Sequence, residues 1–227
     1  MSETRDVFVV IAAYNEGAVI GDVIASLRRS YSRVIVVDDG SHDETAARAR
    51  DAGALVIEHP INLGQGAALQ TGLDYALKAG AAFIATFDAD GQHRVEDIEV
   101  LLQALKTGEA DFALGSRFLG AAVNAPLSRR LLLRAATVFT RLTTGLRISD
   151  AHNGLRAMTA RGARALRIRQ NRMAHASELL HQIATSGLKY VEAPVTIDYT
   201  EYSLAKGQRV SDALTVLMDL VARRLHR

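Results

Sequence analysis

The chain has 227 residues, 48% of them hydrophobic and 23% charged, and a formal net charge of only +2. That is enough apolar material for one domain with a full core, and too little charge to argue for nucleic acid as a partner. Cysteine is absent, which excludes disulfides, thiolate zinc sites and cysteine nucleophiles.

The first residues, MSETRDVFVV, carry charges up to the first apolar run and lack the layout of a secretion signal. No window approaches the roughly 18 consecutive apolar residues of a spanning helix. The expected location is cytoplasmic, with a peripheral position at the cytoplasmic face of a membrane as an option. In chain order, β-branched apolar runs at VFVVIA (Val7–Ala12), RVIVV (Arg33–Val37), ALVIE (Ala54–Glu58), FIATF (Phe83–Phe87) and DFALG (Asp111–Gly115) read as buried strands. Between them, GAVIGDVIASLRRS, DETAARARDAG, QGAALQTGLDYALKAG and RVEDIEVLLQALKTG have helical period, and three of the four end in or just before glycine. Strict alternation predicts an α/β domain with a mostly parallel sheet and helices on both faces.

In such sheets ligands bind beyond the carboxyl ends of the strands. The residues that follow the five strands are AYNEG, DDGSHDE, HPINLGQG, DADGQH and SRF, all polar. They would bring Asn15, Glu16, Asp38, Asp39, Asn62, Asp88, Asp90 and Arg117 to one rim. Polar loops and helix caps explain some of these, and Asp43 reads as a cap. An ionised carboxylate one strand away from a phosphate site can accept hydrogen bonds from ribose or base, the role expected of Asp39. Asp88 and Asp90, at i and i+2 before Gly91, can both reach a hard divalent cation if the turn re-aims them. Asp-X-Asp is common by itself; here it shares an edge with Asp38 and Asp39, and a cation would reconcile an acidic rim with an anionic nucleotide. No Walker lysine follows Gly66 and no GxGxxG follows the first strand, which counts against an ATPase and a dinucleotide dehydrogenase.

The set AAYNE, VVDDGSHDET, NLGQGAALQTGL, FDADGQH and GSRF, followed by SDAHNGLRAM and the SELL segment, resembles the inverting family 2 glycosyltransferases of GT-A fold, in particular the dolichyl- or polyprenyl-phosphate mannosyl and glucosyl transferase branch. The resemblance implies a Rossmann-like single domain over residues 1–205, with a nucleotide half at about 7–118 and an acceptor half at about 119–205. It implies nucleotide contacts from Ala12, Tyr14, Glu16, Asp39, Asn62, Gly66, Asp88 and Ala89. Asp88, Asp90 and Gln92 would surround Mg2+ or Mn2+, and Asp90, Asp150, Glu178 and Arg117 would form the catalytic set. Arg117, Arg130, Arg156 and Lys206 would hold the acceptor phosphate. The family usually has proline where this chain has Ala13 and lysine where it has Gln65.

The implied reaction moves a hexose from a GDP- or UDP-sugar to a polyprenyl phosphate. A phosphate monoester has a second pKa near ~6 and needs no strong base; a saccharide hydroxyl acceptor would need one, with Asp150 or Glu178 as candidates. Two other classes compete: a phosphotransferase with Asp88 as nucleophile, and a non-catalytic nucleotide-sugar binding domain. His93, His152 and His175 have no HExxH spacing and read as polar loop or helix residues. Gly120–Arg130 (GAAVNAPLSRR) reads as a loop, on the acceptor side in the glycosyltransferase reading. The tail, residues 206–227, has the spacing of an amphipathic helix. It would dock on the domain, or lie on anionic lipid or a small membrane-anchoring partner protein.

Overall fold

The computed structural model describes residues 6–107, 109–170, 174–200 and 202. Lys206 and the expected helix at 206–227 lie outside the described residues. All five expected strands form, as β1 (Val7–Ala13), β2 (Arg33–Asp38), β3 (Leu55–Glu58), β4 (Phe83–Thr86) and β5 (Phe112–Val123). The expected helices are α1 (Ile20–Arg28), α2 (Thr45–Asp51), α3 (Gln65–Lys78) and α4 (Glu96–Lys106). The second half of the chain adds α5 (Leu127–Thr144), β6 (Arg156–Thr159), α6 (Ala160–Ala165), α7 (Ala174–Thr185) and β7 (Tyr190–Asp198).

The period-2 alternation of β1 divides the core. Val7, Val9 and Ile11 join Ile20, Val23, Ile24 and Leu27 of α1 and Ile98, Leu101, Leu102 and Leu105 of α4 on one face of the sheet. Phe8 and Val10 face Leu69 and Leu73 of α3 and Leu179, Leu180 and Ile183 of α7 on the other. Both helix sets recur at i, i+3, i+4 and i+7, the spacing of a single buried stripe. On α3 the fit is close: a Cβ at Gly72 would lie 2.3 Å from Val10 Cγ1.

The strand order is β3-β2-β1-β4-β6-β5-β7. All pairs are parallel except those of β6, which runs antiparallel to both β4 and β5. This inserted strand decides what reaches the site. Because β6 is reversed, its first residue, Arg156, pairs with Thr86 at the end of β4 and with Leu114 of β5. The segment leading into β6 therefore joins the edge where the parallel strands finish.

The loop expected at Gly120–Arg130 is not one loop. β5 continues to Val123 beside β7, with a register irregularity between Ser116 and Ala121. A Cβ at Gly120 would fall 2.3 Å from the Val195 carbonyl oxygen, so glycine lets the two strands close up. Leu127 already opens α5, which leaves residues 124–126 as the connection.

Candidate active site

The ends of β1, β2 and β4 lie side by side, with Ala13 in register with Asp38 and Val10 with Thr86. Beyond them stand Tyr14, Asn15 and Glu16 from the first strand and Asp88, Ala89 and Asp90 from the fourth. Tyr14 is 39% exposed, its ring edge-on to His42. Asn15 has a positive φ of 53°, and this left-handed residue is fixed by Asn15 Oδ1 accepting from His42 N at 2.9 Å and by its own N–H donating to Ser41 Oγ at 2.9 Å. Glu16 Oε2 accepts from the Tyr202 hydroxyl at 2.9 Å.

Asp88 and Asp90 have opposite environments. Asp88 Oδ2 is 2.8 Å from His93 Nε2, a ring that is itself buried edge-on against Phe87. Burial alone would push the Asp88 carboxyl up, but the His93 charge and hydrogen bond, with Arg156 and His175 nearby, hold it below its usual value. Asp90 moves the other way. Burial, then the charge of Asp88, with a smaller contribution from Glu16, pushes it from 3.8 to about 6, and the bond it accepts from Gln92 N at 3.1 Å does not compensate. The turn that carries the pair is anchored to β7: Asp198 N donates to Gln92 O at 2.9 Å, and Arg94 forks onto the Asp198 carboxylate at 2.7 and 3.1 Å.

Opposite Asp88 lies the segment entering β6. Thr86 Oγ1 donates to Gly154 O at 2.7 Å, and a Cβ at Gly154 would sit 2.1 Å from Asp88 Oδ2. Glycine is thus required for this carboxylate to occupy its place. Arg156 is 5% exposed; among the described residues nothing hydrogen-bonds its guanidinium. Burial lowers its pKa while Asp88 and Asp150 pull it back up. Two mutually repelling carboxylates with oxygen donors suit a hard divalent cation, which would take the rest of its shell from water and ligand oxygens. The residues therefore fit Mg2+ or Mn2+, with Gln92 on the same turn.

Residues 8–166 match the family model described as glycosyl transferase family 2. The chain belongs to that family. Among this glycosyltransferase's relatives, the UDP-N-acetylglucosamine–dolichyl-phosphate N-acetylglucosaminyltransferase of Methanococcus voltae is 31% identical, covering 90% of this chain and 90% of that protein. The undecaprenyl-phosphate mannosyltransferase of Micrococcus luteus is 31% identical over 88% of this chain and 86% of its own. In fold, the chain resembles the crystal structure of Mycobacterium tuberculosis glucosyl-3-phosphoglycerate synthase with Mn2+ and UDP-glucose. The TM-score is 0.70 at 20% identity, over 97% of this chain and 79% of that one. The α/β sandwich of this family 2 enzyme is the GT-A fold.

Several expected site residues of the glycosyltransferase are already committed elsewhere. Asp39 is buried, and its carboxylate accepts from Leu63 N at 3.0 Å and Gly64 N at 2.7 Å and pairs with His59 Nδ1 at 2.8 Å. It ties β2 to the glycine loop, where ribose or base was the expected partner. Gly66 packs under the chain beyond α6: a Cβ there would lie 2.2 Å from the Gln170 carbonyl oxygen, so its glycine serves packing. Asn62 is exposed on the same loop.

Arg117 and Asp150 are bound to each other. Arg117 Nε donates to Asp150 Oδ2 at 2.6 Å, Nη1 to the Tyr199 hydroxyl at 2.5 Å, and Nη2 to His152 O. The two side chains are 7% and 0% exposed. Three of the five guanidinium N–H groups are thus used within the protein, and a carboxylate this paired and buried is a poor base. Glu178 is engaged as well. Oε2 accepts from Arg169 N and Gln170 N at 2.9 and 2.7 Å, and Oε1 from Gln182 Nε2. Arg130 is exposed on α5.

The histidines were undervalued in the sequence. His93 contacts Asp88 directly, and His152 and His175, both acting on the charges around Arg156, lie close to the same cluster. The signal available for His93 was its position five residues beyond Asp88 across a glycine turn, which folds the chain back. For His175, on α7, the sequence offers none.

Proposed function

We propose that the enzyme transfers a hexose from a GDP- or UDP-sugar to a polyprenyl phosphate, with inversion, at the Asp88–Asp90 edge. The observation that carries this reading is the uneven use of charge. Asp150 and Glu178, the carboxylates suited to deprotonate a sugar hydroxyl, are engaged by protein partners, whereas the Arg156 guanidinium is buried beside Asp88 with no hydrogen bond among the described residues. An already ionised lipid phosphate needs a cationic seat more than a base. The names of the Methanococcus and Micrococcus relatives, both with polyprenyl-type phosphate acceptors, support the same choice, and the Mn2+ and UDP-glucose of the fold neighbour support the donor class and a divalent ion.

Asp88 and Asp90 would hold Mg2+ or Mn2+, with Gln92 adjoining. The cation supplies positive charge for the departing nucleoside diphosphate. His93 keeps Asp88 ionised and oriented; Tyr14 offers an exposed ring for the base, and Glu16 lies beside it for the ribose. Arg156 binds phosphate oxygens of donor or acceptor. In this reading residues 7–118 form the nucleotide half, and 119–205 the acceptor half.

Release of nucleoside diphosphate from a panel of GDP- and UDP-sugars, with and without a polyprenyl phosphate and with and without metal, tests it. Metal-dependent release that needs the lipid phosphate is expected; release driven equally by a free saccharide would move the acceptor to a hydroxyl, and none at all would leave a binding domain. On the same assay Arg156→Met is expected to raise KM or lower kcat/KM at least about thirtyfold, since a charged hydrogen bond is worth roughly 2 kcal/mol. Its unfolding free energy should fall less than that of Arg117→Ala, because no hydrogen bond to the Arg156 guanidinium among the described residues is lost.

A further inference from the structure

Unpaired polar atoms gather around Asp88. Among the described residues, the buried side-chain nitrogens without a hydrogen-bond partner are His93 Nδ1, His152 Nδ1 and Asn153 Nδ2. All three residues stand at this edge: His93 bonds Asp88 through its other nitrogen, and His152 and Asn153 lead into Gly154, over which the Asp88 carboxylate lies. Leaving a buried polar group unpaired costs free energy, and folded proteins keep few of them. Their clustering at one edge marks a place for a ligand.

Asn153 is the most sharply defined of the three. It is 3% exposed, and its Oδ1 accepts from Leu155 N at 3.0 Å. A backbone N–H can only donate, so this bond fixes the orientation of the amide and leaves Nδ2, with two protons, for another partner. The main chain on both sides is held as well. His152 N donates to Asp150 Oδ1 at 3.2 Å, His152 O accepts from Arg117, and Gly154 O accepts from Thr86 Oγ1 at 2.7 Å. An amide fixed in this way, with its donor end unused, is preorganised for recognition.

The order of the strands decides which part of a sugar nucleotide comes here. With the base at Tyr14 beyond β1 and the diphosphate at Asp88 and Asp90 beyond β4, the next strand in the same direction is β6. Residues 152–155 enter that strand, and the hexose, bonded to the terminal phosphate, falls over them. A neutral amide suits a hydroxyl, whereas the Arg156 guanidinium suits a charged phosphate oxygen. His152 beside it is neutral too: burial, with the Arg156 and Arg117 charges, lowers its pKa against the pull of Asp150. We propose that Asn153 donates through Nδ2 to a ring hydroxyl of the transferred hexose and so selects among sugar donors. This rests on the hexosyl-transfer reading above and adds the residue that reads the sugar.

Titration of the full chain in Mn2+ with UDP-glucose, UDP-N-acetylglucosamine and GDP-mannose, and with UDP and GDP, tests the proposal. Asn153→Ser withdraws the amide, while a serine hydroxyl can still accept from Leu155 N. Asn153→Asp keeps the side chain's shape and that bond but puts an acceptor where the donor stood. In both variants the affinity for the sugar nucleotide that wild type binds best, relative to its nucleoside diphosphate, should fall about tenfold, as for one lost hydrogen bond. Wild type should also bind one monodeoxy analogue of that donor about tenfold more weakly, and Asn153→Ser should bind analogue and parent alike. Thermal melts of Asn153→Ser without ligand should match wild type, because no bond to Nδ2 among the described residues is lost. A relative affinity unchanged in both variants, or a wild type that binds every monodeoxy analogue like the parent, overturns the proposal and leaves the proposed reaction standing. A wild type that binds none of the three donors overturns both.

Discussion

Asp90→Asn is expected to abolish turnover, by at least about a thousandfold, and to make the metal-free protein more stable. The two effects have one origin. The folded structure raises the Asp90 carboxyl from 3.8 to about 6 through burial and the neighbouring Asp88 charge, so the folded state holds this proton more tightly than the unfolded state. Stability contributed by the protonated form is complete below about pH 4 and is lost as pH rises through about 6. Two pH units correspond to at most about 3 kcal/mol, and asparagine, which cannot ionise, avoids that loss. Urea melts in chelator should therefore show the variant about 1–3 kcal/mol more stable at pH 7.5 and no more stable near pH 4. A cation competes with the same proton, so wild-type metal affinity should fall about tenfold per pH unit below about 6. Full activity of Asp90→Asn, or of the wild type in excess chelator, would remove the cation from the mechanism. A variant less stable at pH 7.5 would make Asp90 a structural residue.

The parts of the fold legible in the sequence are those where local pattern and tertiary burial agree. VFVVIA, RVIVV and FIATF are apolar on both faces because helices cover both sides of the parallel sheet, and each became a strand within a residue or two. β6 is only RAMT, four residues led by an arginine, and nothing local marks it as a strand between β4 and β5. β7 carries Glu192 and Pro194, which only its place at the sheet edge accommodates. The strand end at Gly120–Val123 was hidden by its glycine, a signal of looseness in sequence and of close backbone approach in space. The candidate site divides in the same way. That Asp38, Asp39, Asp88 and Asp90 share an edge follows from the alternation of strands and helices. Which of them still has lone pairs to offer does not, because that depends on N–H groups such as those of Leu63 and Gly64, brought to Asp39 from another loop.

The same distinction separates the two buried arginines at the rim, and it can be measured. Arg117→Ala is expected to destabilise the protein by about 3–5 kcal/mol, since it strands the Asp150 carboxylate in a site where its side chain is 0% exposed. Asp150→Ala should cost less, because Arg117 keeps the Tyr199 hydroxyl and the His152 carbonyl. In the double variant neither charge is left without its partner, so the combined loss should fall short of the sum by at least about 2 kcal/mol in a denaturant-melt cycle. A residue whose task was to bind phosphate would behave in the opposite way: melts would stay near wild type, the cycle would be additive, and KM would rise. That outcome would restore Arg117 to the acceptor site. If the cycle couples as expected, Arg117 fixes the loop from Asp150 to Gly154, and with it the glycine over which Asp88 lies. Arg156 is then the buried guanidinium at this edge with no hydrogen bond among the described residues, and the one proposed to bind phosphate.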